Sequence, residues 1–183
     1  MRKINALITP LIMVLFLIHM IWGGLELAGM TKGGSSLFMA LSHLMRALIA
    51  VHAVISISLT VDTIRISRRS GISYGKRNRL FWIRRISGFA LMLFVAAHVL
   101  LFIGTTESGA YRLNLFAAGQ LASQILMVLS LLVHFACNIT PLRIALGIED
   151  RKKFRTDVLL VLSVLLLLAG AAFVIYYIRW SII

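Results

Sequence analysis

Four histidines stand deep inside long apolar runs of this chain: His19, His52, His98 and His134. A neutral imidazole with no partner in hydrocarbon carries the full cost of an unsatisfied polar group, so each needs either a polar neighbour on another helix or a metal ion such as iron. Their spacing carries the argument further. His19 and His52 are 33 residues apart, and His98 and His134 are 36 apart, with one histidine in each of four consecutive runs. In helices that alternate in direction, His19 and His98 fall at one depth and His52 and His134 at another. On a rise of ~1.5 Å per residue the two levels are separated by roughly 12 to 15 Å. Two bis-histidine levels in a four-helix bundle suit electron transfer between two stacked b haems. Taken singly, an interhelical hydrogen bond explains any one of these histidines.

The elements that must hold them are membrane spans. The chain has 183 residues, 60% of them hydrophobic, and its apolar residues come in runs of about twenty, the length that crosses a hydrocarbon core. The expected fold is an all-α membrane protein with five transmembrane helices in a single domain, at about 5 to 28, 37 to 64, 80 to 104, 115 to 140 and 157 to 178. Four of them form the haem-binding bundle. The fifth has no histidine and no charge within it, and is expected as an extra C-terminal packing or anchoring helix. The N-terminal run from Ile4 to Trp22 has no clear small-x-small cleavage site after it, so it is read as a retained helix rather than a signal peptide.

The net charge of +13 does not indicate nucleic acid, because the basic residues are confined to the segments between apolar runs. Eight Lys or Arg lie between Arg65 and Arg85, five between Arg143 and Arg155, and two at the N-terminus, against Lys32, Arg112 and Arg179 on the other side. The positive-inside rule then places the N-terminus in the cytoplasm of a multi-pass protein of the cell inner membrane. Trp22, Tyr176, Tyr177 and Trp180 fall at the outer interface and Trp82 at the inner one. The single cysteine, Cys137, excludes an intrachain disulfide, and no cysteine cluster exists to hold an iron–sulfur centre. Nothing resembles a dinucleotide or phosphate motif, and no catalytic residues are assigned.

Other polar residues gather about the two levels. Ser87 and Gly88, eleven and ten residues before His98, share nearly one helix face with it, against which a flat cofactor could lie. Gly23, Gly24 and Gly119 also allow close backbone approach. Arg46 is a basic residue well within a span and needs an anion, either a haem propionate or Glu26. Arg84 and Arg85 open the third span, where they meet either propionates of the inner haem or lipid headgroups. His43, nine residues before His52, is turned about 180° away from the haem face. With Glu26 and Ser42 it forms a candidate outer quinone site, for which Ser87, Trp82 and Arg84 are the inner alternative.

These residues bear a resemblance. Arg85-Ile-Ser-Gly88, followed by nine residues and then His98, resembles the Arg-x-Ser/Thr-Gly... His helix in the membrane cytochrome b subunits of succinate dehydrogenase and fumarate reductase. The segment from Leu131 to Asn138, which contains His134, and then Leu146-Gly-Ile148, is similar to the last haem-binding helix of the two-haem members. The likeness covers about residues 80 to 150. It implies a membrane anchor with two b haems, docked at its cytoplasmic face to an iron–sulfur subunit and a flavoprotein, passing electrons between membrane quinone and a soluble dicarboxylate. Five-span members of that family place their non-ligating helix third, whereas here it comes last. The same anchor could serve a flavoprotein reductase of another substrate. Two other classes remain: a transporter or channel with His43, Arg46 and Glu26 as its polar pathway, and a transmembrane b-type reductase. The first lacks an obvious pair of unwound half-helices, and the second usually carries two ligands on each of two helices.

Overall fold

The computed structural model of the protein describes all residues except 72–77, 103–104, 108–109, 113–115, 149–151 and 183. Its helices are α1 (Arg2–Leu27), α2 (Ser36–Arg69), α3 (Arg79–Leu101), α4 (Ala118–Ala145) and α5 (Lys152–Ile182). All five are long and apolar enough to cross a membrane. The protein is thus an all-α membrane protein, with large apolar side chains such as Leu7, Met30, Phe89, Leu100 and Leu167 on its outer surface. In water such a surface would drive association; in a bilayer it faces a solvent as apolar as itself.

Local chemistry sets the helix ends. Ser35 accepts a hydrogen bond from Phe38 N at 3.3 Å at the start of α2, and Asn78 accepts from Phe81 N at 3.0 Å at the start of α3. Each cap satisfies an amide that the first turn leaves without an intrahelical partner. Beyond α1 the backbone of Gly29 turns left-handed at φ 76°, and a side chain there would also collide with the Arg179 guanidinium of α5. Arg179 Nη1 donates to Leu27 O at 3.4 Å, tying the end of α1 to the end of α5.

The observed ends depart from expectation in several places, and α5 extends past both of its expected ends, from Lys152 to Ile182 rather than 157 to 178. Helix α2 runs on to Arg69, five residues past its expected end, and its last turn carries the basic residues Arg68 and Arg69, which suit the carbonyl end of a helix. Helix α3 stops at Leu101, and the connection to α4 contains a short antiparallel pairing of β1 (Thr105–Glu107) with β2 (Ala110–Arg112). Pro141 lies inside α4, which continues to Ala145. The proline has no amide to give the Cys137 carbonyl one turn back, and that carbonyl accepts from Arg84 Nε at 2.8 Å instead. Part of the basic segments, Arg77 and Arg151 included, lies outside the described residues.

Packing is uneven. Helix α4 lies between α3 and α5, and α1 lies between α2 and α5, while α2 makes at most marginal contact with α3 and α4. Phe116, Met127 and Leu131 from α4 and its approach form the buried core with Leu166 and Phe173 of α5. The fifth helix is therefore an integral part of the bundle, joining the α1–α2 pair to the α3–α4 pair. The side where α2 faces α3 and α4 is left to a cavity.

Candidate functional site, two histidine pairs along one cavity

The cavity has a volume of about 1850 Å³, and His19, His52, His98 and His134 all line it. A site for one small ligand typically measures roughly 300 to 1,000 Å³, so this space accommodates more than one such group. Its walls are mostly apolar, as a site for flat hydrophobic groups requires.

The structure brings the histidines together in two pairs. The ring centroids of His19 and His98 are 6.1 Å apart, with 80° between ring planes. A metal ion bonded to one nitrogen of each of two opposed imidazoles, at roughly 2 Å per bond, sets the centroids about 6 Å apart. His52 lies within electrostatic reach of His134. Among the described residues no three His, Cys, Asp or Glu side chains gather as one metal cluster, so the histidines form pairs and not a single site.

Each of the four imidazoles is hydrogen-bonded through Nδ1, and the proton positions follow from the neighbouring bonds. Ser42 Oγ donates to Phe38 O at 2.8 Å, so at 3.0 Å from His19 Nδ1 it accepts. Ser87 Oγ donates to Arg84 O at 3.2 Å and accepts from His134 Nδ1 at 3.3 Å. Thr9 Oγ1 donates to Asn5 O at 2.7 Å and accepts from His52 Nδ1 at 3.5 Å, the longest of the set. At His98 the partner is Gln124 Oε1, at 2.7 Å. A hydroxyl has one proton, and in the three hydroxyl cases the helix backbone takes it. With each hydroxyl proton on its helix carbonyl, all four histidines carry their proton on Nδ1 and leave Nε2 bare. That is the tautomer of a histidine that binds metal through Nε2, with an oxygen on the other nitrogen holding the ring in place.

Sequence reading placed Ser87 and Gly88 on the cofactor face, and both adjoin His134. A Cβ at Gly88 would stand 3.2 Å from His134 Cε1, tight enough that the ring would have to shift by a few tenths of an ångström. Ser42, expected at a quinone site, stands 3.0 Å from His19 Nδ1. Two partners escaped sequence reading. Gln124 carried a signal: it is an amide within an apolar run, and a buried amide requires a partner. Thr9 carried none, since hydroxyls on membrane helices usually bond back to their own turn. The rings are also packed by aromatics, with Phe38 stacked on His19 at 5.2 Å and Phe102 at 4.5 Å from His98. Phe173 of α5 adds a third contact, 6.2 Å from His98.

A cation accompanies each pair. Arg46 lies within electrostatic reach of His19, and Arg85 within reach of both His52 and His134. Arg46 donates to His43 Nδ1 at 2.6 Å and to Ser42 O at 3.4 Å, while Glu26 accepts from Trp22 Nε1 at 2.9 Å. Arg84 Nε donates to Cys137 O at 2.8 Å, which assigns it to joining α3 and α4 rather than to headgroups alone. The Arg85 guanidinium lies 5.0 Å over the Phe81 ring, and its buried Nε finds no acceptor among the described residues. An acidic group within the cavity would complete it. Glu26, Ser42, His43 and Arg46 all border the cavity at the end of the His19–His98 pair.

The class of protein these features define is a multi-pass, all-α membrane protein with paired histidines along an internal cavity. Protein-family models, curated proteins and solved structures yield no match to the chain.

Proposed function

We propose that this chain is a dihaem cytochrome b membrane anchor, which passes electrons between membrane quinone and an iron–sulfur and flavoprotein partner at the cytoplasmic face. The observation that supports it best is the common arrangement of the four histidines: all line one cavity, and each has its Nδ1 against a side-chain oxygen of a neighbouring helix, which leaves Nε2 for a metal. Interhelical hydrogen bonding alone would place no constraint on which nitrogen is engaged. The residues fit two haems: His19 and His98 would hold one, His52 and His134 the other, with Arg46 and Arg85 as cations for propionates. Haem iron between two imidazoles supplies one-electron transfer. The protein's own part is to hold the imidazoles, exclude water with apolar walls and carry cationic residues beside each level.

Purified protein is expected to show a low-spin b-type spectrum with about two haems per chain, because each level offers two imidazoles to one iron. It is also expected to co-purify with flavin and iron–sulfur subunits, the charge reversals Arg65→Glu and Arg79→Glu releasing these without altering the spectrum. A fully loaded protein with one haem or none would refute the dihaem reading. Subunits retained by the reversed variants would assign the basic residues to anionic lipid. The resemblance of residues 80 to 150 supports a succinate dehydrogenase or fumarate reductase as the partner, and a flavoprotein reductase of another substrate is the alternative under the same haem chemistry.

Quinone chemistry needs a side chain that can hold and pass a proton, and the imidazole of His43 stands beside Arg46. Glu26 borders the same end of the cavity. Quinol oxidation is expected to fall at least about tenfold in His43→Ala and Glu26→Gln variants that keep both haems, the usual scale of a lost general acid–base group. Unchanged turnover in both would move the quinone site to Ser87, Trp82 and Arg84.

A further inference from the structure

Three of the four imidazoles rest on hydroxyls, and the fourth does not. Gln124 has no exposed surface and holds His98 Nδ1 at 2.7 Å, the shortest of the four bonds. Its orientation is determined by its neighbours. Ser123 Oγ donates to Gln120 O at 2.7 Å, so it accepts from Gln124 Nε2 at 3.0 Å, and Oε1 is the atom turned to His98. A carbonyl oxygen only accepts, and nothing in this chain of bonds can reverse it.

Resting on the dihaem reading, we propose that Gln124 is a positioning residue that sets the electron donation of His98 to its haem iron. Donation of Nδ1–H to a well-aligned acceptor makes the other nitrogen more basic and orients the ring. A more basic ligand favours the ferric state, so the bond lowers the potential of the haem it serves.

Gln124→Leu removes the acceptor and keeps an apolar, buried side chain that a membrane helix tolerates. In anaerobic redox titration of the purified protein, this variant is expected to raise the midpoint potential of one haem and leave the other where it was. The affected haem is the one lost in His98→Ala. Its low-spin electron paramagnetic resonance signal should shift, and its retention should weaken roughly 10- to 100-fold, the usual effect of losing such a partner. Gln124→Glu keeps an oxygen acceptor and is expected to hold that potential at or below the wild-type value. Wild-type potentials and signals for both haems in Gln124→Leu would overturn the proposal, as would equal shifts of both, which mark a general packing effect. A wild-type protein that binds no haem would overturn the dihaem reading and this proposal together, whereas two intact, unshifted haems would overturn this proposal alone.

Discussion

His98→Ala is expected to abolish one of the two haems and leave the other with its spectrum unchanged, halving the low-spin absorbance. The ring it removes sits 6.1 Å from His19, centroid to centroid, and these two form one pair. One remaining imidazole cannot make a six-coordinate iron, so the level loses both its spectrum and most of its affinity. His19→Ala should eliminate the same haem. His52→Ala and His134→Ala should eliminate the other, since both line the cavity and lie within electrostatic reach of each other. Haem content by pyridine haemochrome assay and low-spin resonance signals in all four variants checks the scheme. If His19→Ala and His52→Ala remove the same haem, the pairing is wrong.

The second large effect is expected at Gly88. The residue carries no chemistry, yet a Cβ there stands 3.2 Å from Cε1 and 3.5 Å from Nδ1 of His134. In Gly88→Ala the His134 ring must give by a few tenths of an ångström, stretching a bond to Ser87 that is already 3.3 Å long. Haem retention at that level is then expected to weaken roughly tenfold, the lower end of the range for a disturbed ligand partner. Gly88→Leu leaves the ring no place against α3 and is expected to remove the haem of His52 and His134 altogether while sparing the other. Retention of both haems in Gly88→Leu would show that this face of α3 is not a wall of the haem site.

The two predictions differ in what sequence could foresee. His98 is legible as a deep ionisable group without a local partner. Gly88 is legible only as a small residue on nearly the same face as His98, and the ring it touches is not legible. Its contact is with His134, on the neighbouring helix. The face was read correctly from the 3.6-residue period, but which helix packs against a face depends on crossing geometry that no single helix encodes.

What the sequence determined by itself was local or additive: five spans, their alternation, the charge difference between the two ends, and the depth of each histidine. Span length and charge are properties of contiguous residues, and depth follows by counting along a helix of known rise. The tertiary structure alone decided what each histidine touches. The bonds to His52, His19, His134 and His98 join residues 43, 23, 47 and 26 positions apart, each across two helices. It also decided that α5 belongs to the core and that α2 stands off from α3 and α4 across a cavity of about 1850 Å³. In a bilayer the apolar outer surfaces of helices are nearly equivalent, so hydropathy cannot rank neighbours. Close packing and buried polar groups such as Gln124 do, because each needs one particular partner and nothing in the lipid can replace it.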